Sequence, residues 1–223
     1  MTSANHHAGL AGYVRARSRL VSKLAQGGIS DARVLAAMND TPRHALIPEI
    51  LRVQAYRDQA LPIGEGQTIS APGVVARMTQ ALNLKGKERI LEIGTGSGYQ
   101  AAVLSHLVES VISIERIPHL AATARGNLDR MGISNVAIFL GDGTRGRAEN
   151  GPYDGILVTA GGPAPPEPVL LQLRIGGALI GPFGPRDQQQ LLRIVRRNRT
   201  HFVQEVLGGC SFVDLIGEHG WAA

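Results

Sequence analysis

The chain of 223 residues contains a single cysteine, Cys210, few aromatic residues (4%) and no apolar run long enough to span a bilayer. One thiol excludes an internal disulfide framework and a cysteine-based zinc site, and Cys210 reads as a small apolar filler. Scarce aromatics leave little on which nucleic-acid bases could stack. The longest apolar stretches, residues 176–185 and 156–160, fall far short of the roughly 20 residues of a transmembrane helix. Residues 1–10 are polar and lack the charged-then-apolar pattern of a secretory signal. Neither sign of charge dominates: 23 Lys+Arg against 18 Asp+Glu give a net charge of +5, which describes a surface field and not a function. No histidine has metal-ligand spacing, so no metal is expected. These absences point to a soluble cytoplasmic protein, with neither membrane nor nucleic acid as partner. Hydrophobic residues make up 43% of the chain, enough for the core of one sizeable domain.

Glycine is plentiful, at 28 residues, and concentrates in short segments between apolar runs, where backbones turn or approach a ligand. Residues 1–12 are expected to be a disordered tail. Residues 13–72 should form helices and a loop packed on the core, and residues 73–223 the core itself, all in one structural domain. Val14, Leu20, Val21 and Leu24 are spaced for one helical face, and Ser30 or Asp31 can cap a second helix containing Val34, Leu35 and Met38. Residues 56–72 are rich in glycine, proline and small hydroxyls with almost no periodicity, which predicts an ordered binding loop. From Gly73 onward helices and strands alternate. Strands are predicted at residues 89–93, 111–115, 136–140, 153–159 and 178–182, with residues 169–173 in a helix and further strands at 190–197, 202–206 and 212–215. This pattern predicts a doubly wound α/β fold: a mostly parallel sheet with helices on both faces.

The strongest motif is Ile90-Leu91-Glu92-Ile93-Gly94-Thr95-Gly96-Ser97-Gly98-Tyr99, a buried strand running into a glycine turn that opens a helix. Its Gly-x-Gly-x-Gly spacing is tighter than the Gly-x-Gly-x-x-Gly of dinucleotide binders. A tight turn preceded by an acid suits a cationic or zwitterionic ligand without phosphate. Glu115 ends the next strand, where a carboxylate can accept from both ribose hydroxyls. Asp142, between Gly141 and Gly143, follows the third strand and could accept from an adenine amino group. Taken singly, each has a plainer reading as a tight turn, a solvated strand end or a turn residue. Together, at the carboxyl ends of successive strands, they describe a site for S-adenosyl-L-methionine.

With these residues in view, the chain from about residue 29 to 215 resembles the bacterial protein-L-isoaspartate O-methyltransferases. The resemblance is carried by Pro42-Arg43-His44, Tyr56-x-Asp58, residues 61–72 with Gly-x-Gln-Thr-Ile-Ser-x-Pro, residues 91–99, Glu115-Arg116, Gly141-Asp142-Gly143, and residues 153–160. It implies a Rossmann-like methyltransferase fold and methyl transfer from S-adenosyl-L-methionine to the free α-carboxylate of L-isoaspartyl residues in damaged proteins. The ester then closes to a succinimide that reopens partly to aspartate. Ser70 would be the catalytic residue. Gln67, Thr68, Ile69, Thr159, Ala160 and Val213 would bind the peptide, and Glu92, Gly94, Thr95, Gly96, Gly98, Glu115, Asp142 and Gly143 the cofactor. The expected partners are isoaspartyl peptides and proteins, acted on by a monomer. Asp214 departs from the family, which usually has proline there.

An α-carboxyl has a pKa of about 3.5, so this nucleophile is already ionised at neutral pH and needs no general base. Anion attacking cation loses charge in the transition state, so an arginine clamp on the carboxylate would slow the step. Neutral donors such as the Ser70 and Thr68 hydroxyls can orient it instead. On spacing alone, Ser70 could equally cap the helix that follows. Arg193, Arg196, Arg197 and Arg199 read as a solvated strand edge more readily than as a nucleic-acid patch. A nucleic-acid methyltransferase and a non-catalytic nucleoside-binding adaptor are the competing readings.

Overall fold

The computed structural model describes the backbone of residues 2–222 and the side chains of residues 12–222. Helix α1 (Thr2–Gln26) includes most of the stretch expected to be a tail, whose side chains lie outside the described residues. Helix α2 (Ala32–Asp40) is capped by Asp31, which accepts the Arg33 N–H at 2.9 Å. A hairpin, β1 (Leu61–Gly64) with β2 (Gln67–Ile69), precedes α3 (Pro72–Ala81).

The core alternates from there: β3 (Arg89–Ile93), α4 (Tyr99–Ser105), β4 (Ser110–Glu115), α5 (Pro118–Arg130), β5 (Val136–Leu140), β6 (Tyr153–Val158), α6 (Glu167–Leu170) and β7 (Leu173–Phe183). Two antiparallel strands, β8 (Gln190–Arg196) and β9 (Phe202–Gly209), complete it. The sheet order is β5-β4-β3-β6-β7-β8-β9, with β5 through β7 parallel. Central β3 and β6 are covered on both faces and therefore read as near-continuous apolar runs. The chain leaves β3 toward β4 on one side and returns to β6 on the other. This reversal opens a crevice at the carboxyl ends of β3 and β6, where open α/β sheets bind ligands.

Three local expectations are corrected. Residues 56–72 are not wholly irregular, because β1 and β2 pair through Gly64, Glu65 and Gly66, all at positive φ. Strands this short carry no visible period. Residues 212–215 form no strand; Asp214 makes a single bridge to Gly161. The predicted helix at residues 169–173 ends at Leu170, and β7 starts at Leu173 with a register shift before Ala178.

Candidate active site

The glycine turn after β3 has Gly94, Gly96 and Gly98 at φ of 96°, 55° and 86°, a region that glycine enters at little cost. A Cβ on Gly94 would collide with the Thr159 hydroxyl. Thr159 Oγ1 lies 2.9 Å from the Ile93 carbonyl oxygen and 2.6 Å from that of Gly94, so it ties the turn to the end of β6. Gly98 does a different job from the one expected. It begins α4 and packs against Ala124 and Leu128 of α5, behind the cleft wall.

Glu115 is buried at the end of β4. Its Oε2 accepts the Gly96 N–H and its Oε1 the Ile117 N–H, both at 2.9 Å. Each oxygen retains a lone pair for a ligand hydroxyl. Glu92 and Asp142 depart from expectation. Glu92 is 0% exposed and lies off the cleft wall. Its Oε2 accepts from Ser113, whose Oγ is 2.5 Å from Thr95 Oγ1, so it braces the glycine turn from behind. Burial pushes its pKa up to about 8, against the pull of the Ser113 hydroxyl. Asp142 also lies off the wall. Its Oδ1 takes the Thr144 N–H (2.8 Å) and hydroxyl (2.7 Å), and its Oδ2 the Glu218 N–H (2.8 Å). Burial raises its pKa, but these donors outweigh it and hold the carboxylate below its usual range. Asp142 thus fastens the C-terminal segment, while neighbouring Gly143 reaches the cleft.

The hairpin carries Gln67, Thr68, Ile69 and Ser70 to the opposite wall. Helix α3 begins after Ala71 with no side-chain cap from Ala71 itself. Its Gly73 N–H is taken instead by Asp58 Oδ1 at 2.6 Å. Ser70 therefore is not the cap, and its hydroxyl bonds to no described residue. The Ser70 carbonyl accepts from Arg43 Nη1 at 2.7 Å. His44 Nδ1 lies 2.6 Å from the Tyr56 hydroxyl and its ring stacks on Tyr13. The Pro42-Arg43-His44 and Tyr56-x-Asp58 motifs are thus the scaffold on which the Ser70 loop stands.

Between these walls lies a cleft of about 840 Å³, open mouth included. It brings together Gln67, Thr68, Ile69, Ser70, Gly94, Thr95, Gly96, Glu115, Gly143, Thr159, Ala160 and Val213. Residues unforeseen from the sequence also line it, among them Val75, Met78, Tyr99, Gln100, Ile114, Ile117 and Leu120. Sequence patterning does not show which cavity a helical side chain faces. Gln100 Nε2 donates to Thr79 Oγ1 at 2.9 Å while its Oε1 has no partner. A buried free acceptor together with the Glu115 carboxylate suits a ligand that carries positive charge and hydroxyls. Gly94 and Gly143 are glycine because a Cβ there would strike Thr159 and Ile93, which packs the turn tightly at the cleft edge. The wall has no lysine, and Arg116 is its one arginine among the described residues.

Asp214 lines the cleft, and its charge is met within the chain: Oδ2 accepts from Arg186 Nε at 2.8 Å. The Arg186 guanidinium lies 4.3 Å from the Trp221 ring centre, and Trp221 Nε1 donates to the Gly161 carbonyl at 2.9 Å. In the expected basic edge, Arg193 donates to the Ala81 carbonyl (3.0 Å) and Arg196 to those of Leu171 and Leu173 (2.7 Å each). These two brace the sheet instead of forming a free patch. No described helix is long and apolar enough to cross a membrane.

Comparison with known proteins agrees with this geometry. A family model described as protein-L-isoaspartate (D-aspartate) O-methyltransferase matches residues 15–220. A protein-L-isoaspartate O-methyltransferase of Syntrophus aciditrophicus is 51% identical over 213 residues, covering 94% of this chain and 98% of the relative. Protein-L-isoaspartate O-methyltransferase 2 of Marinobacter nauticus is 52% identical over 206 residues, covering 92% and 94%. Among solved structures, a protein-L-isoaspartate O-methyltransferase superposes with a TM-score of 0.83 at 30% identity, over 92% of this chain and 67% of that one. A Plasmodium falciparum structure described as the same enzyme, in complex with S-adenosyl-L-homocysteine, gives 0.78 at 28% identity, covering 90% and 98%. With the glycine turn, Glu115 and the Ser70 hairpin gathered around one cleft, the chain belongs to the protein-L-isoaspartate (D-aspartate) O-methyltransferase family.

Proposed function

We infer that this cleft carries out the family's reaction, methyl transfer from S-adenosyl-L-methionine to the free α-carboxylate of L-isoaspartyl residues in damaged proteins. One observation carries this reading. A hairpin hydroxyl, Ser70, is left uncommitted by the helix beside it and lines the same cleft as the Gly94–Gly96 turn and Glu115. When bound, S-adenosyl-L-methionine supplies a methyl group made electrophilic by its sulfonium. Glu115 would accept from the ribose hydroxyls, while Gly94, Thr95, Gly96 and Gly143 allow close backbone approach. Ile114, Ile117 and Leu120 supply apolar surface and exclude water. Opposite them, Gln67, Thr68 and Ser70 would orient the peptide carboxylate, with Ile69, Thr159, Ala160 and Val213 shaping its surroundings. The carboxylate enters ionised, so these residues hold geometry and move no proton. Neutral donors at this point avoid tightening the ground state against a transition state that loses charge.

A lone cysteine suits a reducing compartment such as the cytoplasm. The deciding experiment supplies methyl-labelled S-adenosyl-L-methionine with an isoaspartyl peptide and its aspartyl counterpart. Base-labile label on the first alone is expected. Label on neither overturns the reading, and label transferred to RNA or DNA would favour a nucleic-acid methyltransferase.

A further inference from the structure

Arg43 is 0% exposed, yet among the described residues no carboxylate oxygen comes within 4.0 Å of its nitrogens. Buried arginines are normally paired, because an isolated charge is costly to remove from water. Here the hydrogen-bond partners of the guanidinium are all neutral. Nη1 donates to the Ser70 carbonyl at 2.7 Å, Nη2 to the Gln59 carbonyl at 3.1 Å, and Nε to nothing. The Tyr99 ring centre lies 4.9 Å from Cζ. Asp58, the acid that bears on Arg43, is exposed and engaged with the Gly73 N–H. The Asp58 charge acts on Arg43 only from beyond 4.0 Å, so no carboxylate pairs with the guanidinium directly, and it is hydrogen-bonded to Ser70, whose hydroxyl stands free at the cleft.

We propose that Arg43 is the counter-charge for the substrate carboxylate, set one residue back and acting through the Ser70 peptide group without touching the substrate. That role depends on Ser70 being the residue that meets the carboxylate. It reconciles two demands on the cleft. A carboxylate must be drawn out of water, which favours a nearby cation. A guanidinium bonded directly to it would hold charge that has to disappear in the transition state. A buried cation behind a neutral hydroxyl attracts the anion at longer range and leaves its attacking oxygen free. Arg43 is thus a positioning residue whose effect falls on peptide affinity more than on turnover.

The test measures binding of an isoaspartyl peptide and of its α-carboxamide analogue to the S-adenosyl-L-homocysteine complex, for the wild type, Arg43→Lys and Arg43→Gln. The wild type should bind the carboxylate at least tenfold tighter than the carboxamide. Arg43→Gln should lose at least tenfold in carboxylate affinity and less than threefold for the carboxamide. Its KM should rise tenfold or more, with kcat within about threefold of wild type. Arg43→Lys, which keeps the charge, should restore most of the carboxylate preference. Equal losses for both ligands in Arg43→Gln would make Arg43 merely structural and overturn the role. Should Arg43→Gln fail to fold, the wild type and Arg43→Lys decide: equal affinity for the two peptides in wild type overturns it. If the wild type binds neither peptide, the reading of the cleft fails; if it binds both equally, only the role of Arg43 fails.

Discussion

The Asp58 carboxylate accepts the Gly73 N–H at 2.6 Å, and this contact separates two roles that adjacent residues could share. A helix N-terminus presents unpaired N–H groups that a serine just before it commonly satisfies. At α3 the acid comes from fifteen positions upstream, so Ser70 can turn its hydroxyl to a ligand. Gly73 has no side chain for a physical reason: a Cβ there would meet Asp58 Oδ2 at 2.6 Å.

Asp58→Ala should remove this cap. A lost cap costs about 1 kcal/mol, and in a chain of this size that lowers Tm by about 2–4 °C. Turnover should fall as well, because Ser70 becomes the nearest substitute for the missing acceptor. Thermal denaturation and a steady-state assay check both. A variant with unchanged Tm and turnover would remove Asp58 from the account.

Glu92 links the site to pH. Its carboxyl has an ordinary value near 4.5, and burial pushes it up to about 8 in the fold. The native state therefore retains a proton that the unfolded chain releases between those values. This contribution to stability is full below about 4.5 and is lost as pH rises toward 8. Glu92→Gln stays neutral throughout, so its Tm should decline less than that of wild type between about pH 5 and pH 8. Parallel Tm profiles for the two proteins would contradict this.

Arg186 neutralises an acid on the cleft wall. Without it, Asp214 would face incoming peptides as a bare carboxylate. Arg186→Ala should raise KM several-fold for isoaspartyl peptides with acidic flanking residues, and less for those with neutral or basic ones. An equal change across the three peptides would instead point to loss of the Trp221 contact.

The parts of the site written in contiguous residues were legible in the sequence. Residues 90–99 combine a buried strand with a turn that only glycine fits, and Glu115 falls where the next strand must end. What escaped depends on direction or on distance along the chain. Side chains alternate across a strand, so Glu92 points away from the face that Ile93 presents to the cleft and meets Ser113 instead. Asp142 is engaged by the backbone of Glu218, 76 residues away, a partner that no local pattern announces. The β1–β2 hairpin is too short to show a period, and its turn runs through Glu65 at φ 54°, a conformation unusual for a residue with a side chain. Asp58 and Arg43 stood out only through the family resemblance. Their contacts with Gly73 and Ser70 supply the physical reason.

Turnover of Ser70→Ala at saturating isoaspartyl peptide, with S-adenosyl-L-homocysteine affinity measured on the same material, tests the central claim most directly. The Ser70 hydroxyl is held to orient the carboxylate and to take no part in nucleoside binding. Turnover should therefore fall at least tenfold while nucleoside affinity stays within about twofold of wild type. A variant that esterifies the peptide at the wild-type rate would contradict the account.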